Sequence, residues 1–221
     1  IITYRKEHSI RFKGVKPEDE FQYPPITNFE HDFFPTPIKN LLLKAGYTEP
    51  TPIQAQAWPI ALDKRDMISI AKTGSGKTCA YLIPAIKDLF LNNKKDKSNA
   101  KKKVSVLVLS PTREVSKYTA HHSIGINALA CYGGADRNRQ IRALQRNNIQ
   151  ILIGTPGRCN DLMEAGVLNL NDVTYCVLDE ADRMLDMGFE PQINQLLNET
   201  DAKQRQTLCF TATWPKEVQM H

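Results

Sequence analysis

Apolar runs alternating with amphipathic segments predict an α/β domain, with a parallel sheet covered by helices on both faces. Strand-like runs at 66–71, 104–110, 126–131, 150–154, 174–179 and 206–210 are separated by helical patterns near 77–90, 113–122, 135–146, 157–165 and 189–198. A glycine-rich turn, Ala71-Lys72-Thr73-Gly74-Ser75-Gly76-Lys77-Thr78, stands between the first strand and the helix after it. The fifth of these runs, Tyr175-Cys176-Val177-Leu178, ends in Asp179-Glu180-Ala181-Asp182, three acids in four positions. Such a run suits a strand buried on both faces, and the acids that end it call for a positive partner nearby.

The glycine turn supplies that partner's site. Gly74 and Gly76 let backbone N–H groups turn inward around phosphate oxygens, and the helix that follows adds its positive end. Lys77 is placed to reach the β- and γ-phosphates, and Thr78 to ligate Mg²⁺. Position 71 holds alanine where the usual pattern has glycine, which a negative φ tolerates. In a doubly wound sheet ligands bind at the carboxyl ends of the strands, so this loop and the acids share one edge. Asp179 then faces a nucleotide-bound Mg²⁺, and Glu180 is placed to orient and deprotonate an attacking water. The plainer alternative for the two acids is a helix N-cap cluster.

The first 65 residues differ from the rest. They carry eight prolines and two helical patterns, 36–45 and 52–62, and read as an N-terminal extension packed on the α/β core at 66–221. Thr51, Pro52 and Gln54 have the residue types of a helix start: N-cap, proline at N1 and a capping-box glutamine.

Composition sets bounds. The chain has 221 residues, of which 41% are hydrophobic and 24% charged, an ordinary globular balance. No apolar run approaches membrane-spanning length and no signal-peptide core opens the chain. Five scattered cysteines (Cys79, Cys131, Cys159, Cys176, Cys209) have no metal-ligand spacing and read as buried small hydrophobes in an intracellular, reducing compartment. Residues 92–103 hold six lysines and one aspartate, equal to the +5 net charge of the whole chain, so the remainder is formally neutral. That stretch reads as a solvated loop, with a polyanion contact as the sharper alternative. The missing initiator methionine and an end that looks like the start of a helix lead us to expect a piece of a longer protein.

Together these motifs resemble those of the DEAD-box ATP-dependent RNA helicases, specifically their N-terminal RecA-like domain. Beside the glycine loop and the acidic box, residues 46–54 (Gly-Tyr-Thr-Glu-Pro-Thr-Pro-Ile-Gln) are similar to the family's Q motif, with Phe29 as its upstream aromatic. Pro111-Thr112-Arg113-Glu114 resembles motif Ia, Gly133-Gly134 the glycine doublet, Thr155-Pro156-Gly157-Arg158 motif Ib, and Thr211-Ala212-Thr213 motif III. The resemblance implies that ATP or ADP with Mg²⁺ is bound by 71–78, Phe29, Tyr47 and Gln54, with Mg²⁺ on Thr78 and Asp179, partly through water. It implies catalysis by Glu180, Lys77 and Asp179. RNA would be held without sequence preference by Pro111, Thr112, Arg113, Gly133, Gly134, Thr155, Pro156, Gly157 and Arg158, through phosphates. Asp182, Thr211 and Thr213 would couple nucleotide state to RNA. The same resemblance implies an intracellular monomer, nuclear or cytoplasmic, whose full chain adds a second RecA-like domain with arginine fingers, and an isolated piece that is nearly inactive.

Three alternatives stay open at this stage. Gln54 serves as a helix cap, an adenine-reading amide, or both; Phe29 stacks on adenine or packs in the core; and Arg139, Arg142 and Arg146 form a solvated face or a further RNA contact. Two departures from the family pattern are Val115-Ser116-Lys117, where motif Ia continues with Leu-Ala-Gln, and Thr211, where most members have serine. A second functional class is an ATP-latched RNA clamp with little turnover, and a third is a nucleotide-driven motor that does not act on RNA.

Overall fold

The computed structural model describes residues 1–16, 18–95, 103–112, 124–146 and 148–214. Every expected strand forms: β1 (Met67–Ile70), β2 (Val106–Leu109), β3 (Ala128–Cys131), β4 (Ile151–Gly154), β5 (Tyr175–Asp179) and β6 (Gln206–Thr211). They make one sheet in the order β1-β6-β5-β2-β4-β3, with every pair parallel.

Burial explains why four-residue apolar runs suffice. All of β2 and β4 is buried, and alternate residues face opposite cores. Val106, Val108, Ile151, Ile153, Val177, Leu208 and Phe210 pack with α3 (Pro52–Leu62) and α4 (Lys77–Lys95). Leu107, Leu109, Leu152 and Cys176 pack on the other face with Leu162 of α6 (Pro156–Glu164), Met184 of α7 (Ala181–Asp186) and Leu196 of α8 (Glu190–Asn198). The remaining α-helices among the described residues are α1 (Ile2–Glu7), α2 (Thr36–Lys44) and α5 (Arg137–Arg146).

Register places the site. Cys131, Gly154, Leu109, Leu178 and Cys209 are paired in one row across five strands, and Ile70 pairs with Thr211 at the far edge. The carboxyl ends are therefore nearly level, and the glycine loop, the acidic box and the turns after β2, β3 and β4 leave the sheet from the same edge. At Gly154 a Cβ would overlap the Cys159 sulfur and lie 2.9 Å from the Cys131 carbonyl oxygen, so glycine lets β4 end flush against β3 and α6.

The extension is wired in more tightly than its composition suggests. Phe29, Phe33, Phe34 and Trp58 form an aromatic cluster continuous with the core that holds α4 and one face of the sheet. Arg5, only 7% exposed, donates to Gln56 Oε1 and to the carbonyl oxygens of Glu20 and Tyr23, each at 2.8 Å. Gln56 in turn donates to the Tyr23 carbonyl at 2.9 Å. One arginine thus ties residues 1–23 to α3.

Two expectations need correction. The lysine-rich loop does not begin at 92: α4 continues to Lys95, because Asn93 exchanges side-chain bonds of 3.0 and 3.2 Å with Gln150 and Lys94 lies over the Phe90 ring. The short helices α1 and α7 were not expected at all. The predicted helix at 113–122, Arg113 with it, and Val115-Ser116-Lys117 lie outside the described residues.

Candidate nucleotide and nucleic-acid site

The glycine loop follows β1 and runs directly into α4, as its residues dictate. Gly74 has φ +77° and Gly76 φ +93°, a region L side chains rarely enter. Lys77, 8% exposed, turns its ammonium back into the loop and donates to the carbonyl oxygens of Ala71 at 2.7 Å and Lys72 at 3.2 Å. The Ser75 hydroxyl is buried in the same loop with no hydrogen-bond partner among the described residues, a donor without an acceptor.

Residues 51–54 grip this loop, a link the sequence did not reveal. The capping box of α3 forms: Gln54 Oε1 accepts from the Thr51 backbone N–H at 3.0 Å. The other end of the same amide donates to the Gly76 carbonyl at 3.1 Å, and the Thr51 hydroxyl donates to the Ser75 carbonyl at 2.8 Å. In this conformation the Gln54 amide caps its helix and pins the glycine loop. Tyr47 is half-buried; its hydroxyl accepts from Cys79 Sγ at 3.3 Å, and its ring packs on the core beside α4. Phe29 is 4% exposed, with ring centroids 5.5 Å from Phe34 and 6.3 Å from Trp58. The structure therefore realises the packing alternative for Phe29.

The acids stand at the end of β5, two strands from the loop. Asp179 is 5% exposed and accepts from the Tyr81 hydroxyl at 2.9 Å and the Glu180 backbone N–H at 3.0 Å. Burial pushes its carboxyl above the usual range; the Tyr81 bond and the Lys77 charge oppose the shift, and Glu180 adds to it. Tyr81 lies four residues after Lys77, on the same face of α4, and that spacing is the signal that could have found it. Glu180 sits in the left-handed region, at φ 52° and ψ 48°, where the strand turns into α7. A non-glycine residue there is strained by about 1–3 kcal/mol. Its carboxylate pairs with Arg183 at 2.8 Å, one helical turn on.

Asp182 joins the acidic box to the end of β6. Its carboxylate accepts from the Thr213 backbone N–H at 3.0 Å and hydroxyl at 2.8 Å, while its own N–H donates to the Thr211 hydroxyl at 3.3 Å. Partial burial works against the charge, but the hydrogen bonds outweigh it and hold the Asp182 carboxyl below the usual range. Thr211 in place of serine therefore keeps the link that its hydroxyl makes.

The other half of the edge carries the turns after β2, β3 and β4. Gly133 and Gly134 are exposed before α5, and Gly157 is exposed in the first turn of α6, whereas Pro111 and Pro156 are buried and shape their turns. Arg158 does not extend freely toward solvent. Its side chain is 13% exposed; its guanidinium donates to Gln140 Oε1 at 2.8 Å and lies 3.5 Å from Asp161. Arg158, expected to bind RNA phosphate, is here built into a side-chain network between α5 and α6. Arg139, Arg142 and Arg146 are exposed on α5, compatible with either alternative for that face.

A level parallel sheet with a glycine phosphate loop at one end of its edge and an acidic box two strands away defines a nucleotide-binding α/β domain of the RecA-like P-loop class. The family model for the DEAD/DEAH box helicases matches residues 51–221, and the chain belongs to that family. A protein of Oryza sativa subsp. japonica described as DEAD-box ATP-dependent RNA helicase 40 is 45% identical, across 98% of this chain and 27% of its own length. The ATP-dependent RNA helicase DBP2 of Meyerozyma guilliermondii is 46% identical across 99% of this chain and 39% of its own. Among solved structures, a DEAD box protein from the hyperthermophile Methanococcus jannaschii superposes with a TM-score of 0.74 at 34% identity, over 89% of this chain and 53% of that one. The chain therefore spans well under half the length of these curated relatives.

Proposed function

We propose that this chain is the nucleotide-binding half of an RNA-stimulated ATPase that remodels or locally unwinds RNA in its full-length form. One observation supports this above the rest: the carboxyl ends of the strands are nearly level, so a phosphate loop, an acidic box and the turns after β2, β3 and β4 share one edge of one sheet. The loop backbone, the Ser75 hydroxyl and Lys77 take the phosphates of ATP once Lys77 leaves the carbonyls it now holds. The hard oxygens of Thr78 and Asp179 suit Mg²⁺. No three His, Cys, Asp or Glu side chains converge as a metal cage among the described residues, which fits an ion held partly by phosphates. Bound there, Mg²⁺ would neutralise charge developing on the phosphates. Glu180 orients and deprotonates the water, and Asp182, bonded to Thr211 and Thr213, joins the acidic box to the end of β6, the link through which nucleotide state would be coupled to RNA. Contacts through backbone amides carry no base information, so binding is sequence-independent. Five free cysteines suit a reducing interior, nuclear or cytoplasmic.

A slower clamp has one observation in its favour: Glu180 is held by Arg183 in this conformation. Titration of a fluorescent ADP, displaced by ATP or GTP, tests the nucleotide reading on the chain itself. We expect preference for adenine nucleotide and its loss in Gln54→Ala; equal displacement by GTP would sink the assignment of Gln54.

A further inference from the structure

The side-chain network between α5 and α6 is larger than the motifs it touches. Arg137, the first residue of α5, binds Asp161 of α6 through two guanidinium nitrogens: Nε at 2.9 Å from Oδ2 and Nη2 at 2.9 Å from Oδ1. The same carboxylate lies 3.5 Å from Arg158 Nε. Arg158 reaches back to Gln140 Oε1 at 2.8 Å and to the Ala135 carbonyl at 3.4 Å, closing the ring onto α5 and the turn that precedes it. Gln140 is itself anchored to the Tyr132 carbonyl at 3.2 Å, just after β3. The ring therefore spans the turn holding Gly133 and Gly134 and the first turns of the helix that opens with Thr155. Each turn emerges from its own strand; the Thr155 N–H donates to the Cys131 carbonyl at 3.0 Å where the strands end, and the side-chain network bridges the two turns beyond that point.

We propose that Arg137 and Asp161 are positioning residues for RNA: they hold the turn after β3 and the turn after β4 at the spacing that lets both contact one phosphate backbone. This inference rests on the RNA reading above. Surface ion pairs are commonly worth little, but a bidentate arginine–carboxylate pair within a charge network is the exception. The bond from Arg137 also holds the Asp161 carboxyl below its ordinary range.

The competing role is that Arg137 itself touches phosphate, and Asp161→Asn separates the two with opposite signs. That substitution frees Arg137. A direct contact would then bind RNA more tightly; a lost brace weakens binding. The test uses the full-length protein, with single-stranded RNA titrated into an ATPase assay and into a fluorescence anisotropy assay at several salt concentrations. We expect Asp161→Asn and Arg137→Gln each to raise the half-saturating RNA concentration about fivefold, and the double variant to add nothing further. KM for ATP stays unchanged. The slope of log affinity against log salt also stays unchanged, whereas losing a phosphate contact would reduce it by about 0.7. Tighter binding by Asp161→Asn, a reduced slope in Arg137→Gln, additive singles, or unmoved affinity in both would overturn the proposal. If wild-type protein shows no RNA response, the RNA reading falls and takes this inference with it. An RNA-responsive wild type with unmoved variants overturns only the brace.

Discussion

Gly76 is the position where the two halves of the nucleotide site press hardest on each other. A Cβ added there would overlap Gln54 Nε2 and stand 3.0 Å from the Thr51 hydroxyl, at a backbone φ of +93°. The alanine variant therefore meets two penalties. The left-handed backbone costs about 1–2 kcal/mol for an L residue. Displacing the Gln54 amide breaks its bond to the Gly76 carbonyl and its half of the capping box, about 1 kcal/mol each. Gly76→Ala should lower stability by about 3–4 kcal/mol and weaken nucleotide binding, because the loop can no longer rest against α3. Gly74 supplies the control: its φ is +77° but nothing lies within 4 Å of an added Cβ, so Gly74→Ala carries only the backbone penalty. Chemical denaturation and fluorescent-ADP titration on Gly74→Ala, Gly76→Ala, Gln54→Ala and the Gly76→Ala/Gln54→Ala pair give the test. Removing Gln54 should relieve about half of the Gly76→Ala penalty. A penalty at Gly76 that is no larger than at Gly74, or that does not respond to Gln54, would refute the packing of this motif against the loop.

Other consequences follow from the same contacts. Burial raises the Asp179 carboxyl, so its charge costs the native state stability at neutral pH, and that cost is relieved as pH falls through the raised value. Asp179→Asn should therefore raise the thermal midpoint at pH 7, by an amount that shrinks on acidification, while abolishing ATP hydrolysis; a lower midpoint at pH 7 would count against the assignment. Asp182 has the opposite sign: its carboxyl is depressed, so its stabilising contribution is present above the ordinary carboxylate range and is lost as pH falls through the depressed value. Asp182→Asn should keep nucleotide affinity but lose most RNA stimulation of the ATPase, and retained stimulation would mean that the Thr211–Thr213 link does not couple the sites. Arg5→Ala removes three hydrogen bonds, two of them buried, and should cost about 3 kcal/mol in denaturant titration; a change below about 0.5 kcal/mol would show that residues 1–23 are not anchored through it.

The central strands β2, β4 and β5 were legible because a segment buried on both faces must be apolar throughout, and little else in a chain is. The strand order was not, since alternation of elements says nothing about which strands adjoin; the placement of β6 and β5 between β1 and β2, which sets the loop two strands from the acids, came only from the structure. The glycine loop and the acidic box were legible because phosphate and metal chemistry restrict residue types at fixed spacing. Tyr81 was available in principle from its helical spacing to Lys77. Arg5 was not, because an arginine near a chain end reads as solvated until its three oxygen partners are seen. The double duty of the Gln54 amide depends on a tertiary contact with Gly76, and no local pattern encodes that. Arg158 was placed in the right turn, but its guanidinium is committed to Gln140 and Asp161, partners eighteen and three residues away.

The most direct test is ATP hydrolysis by the full-length protein with and without single-stranded RNA, beside Glu180→Gln. RNA should raise turnover strongly, and the substitution should remove the stimulated rate while leaving ATP binding intact. Turnover that ignores RNA, or that survives Glu180→Gln, would contradict an RNA-stimulated ATPase whose attacking water is activated at the end of β5.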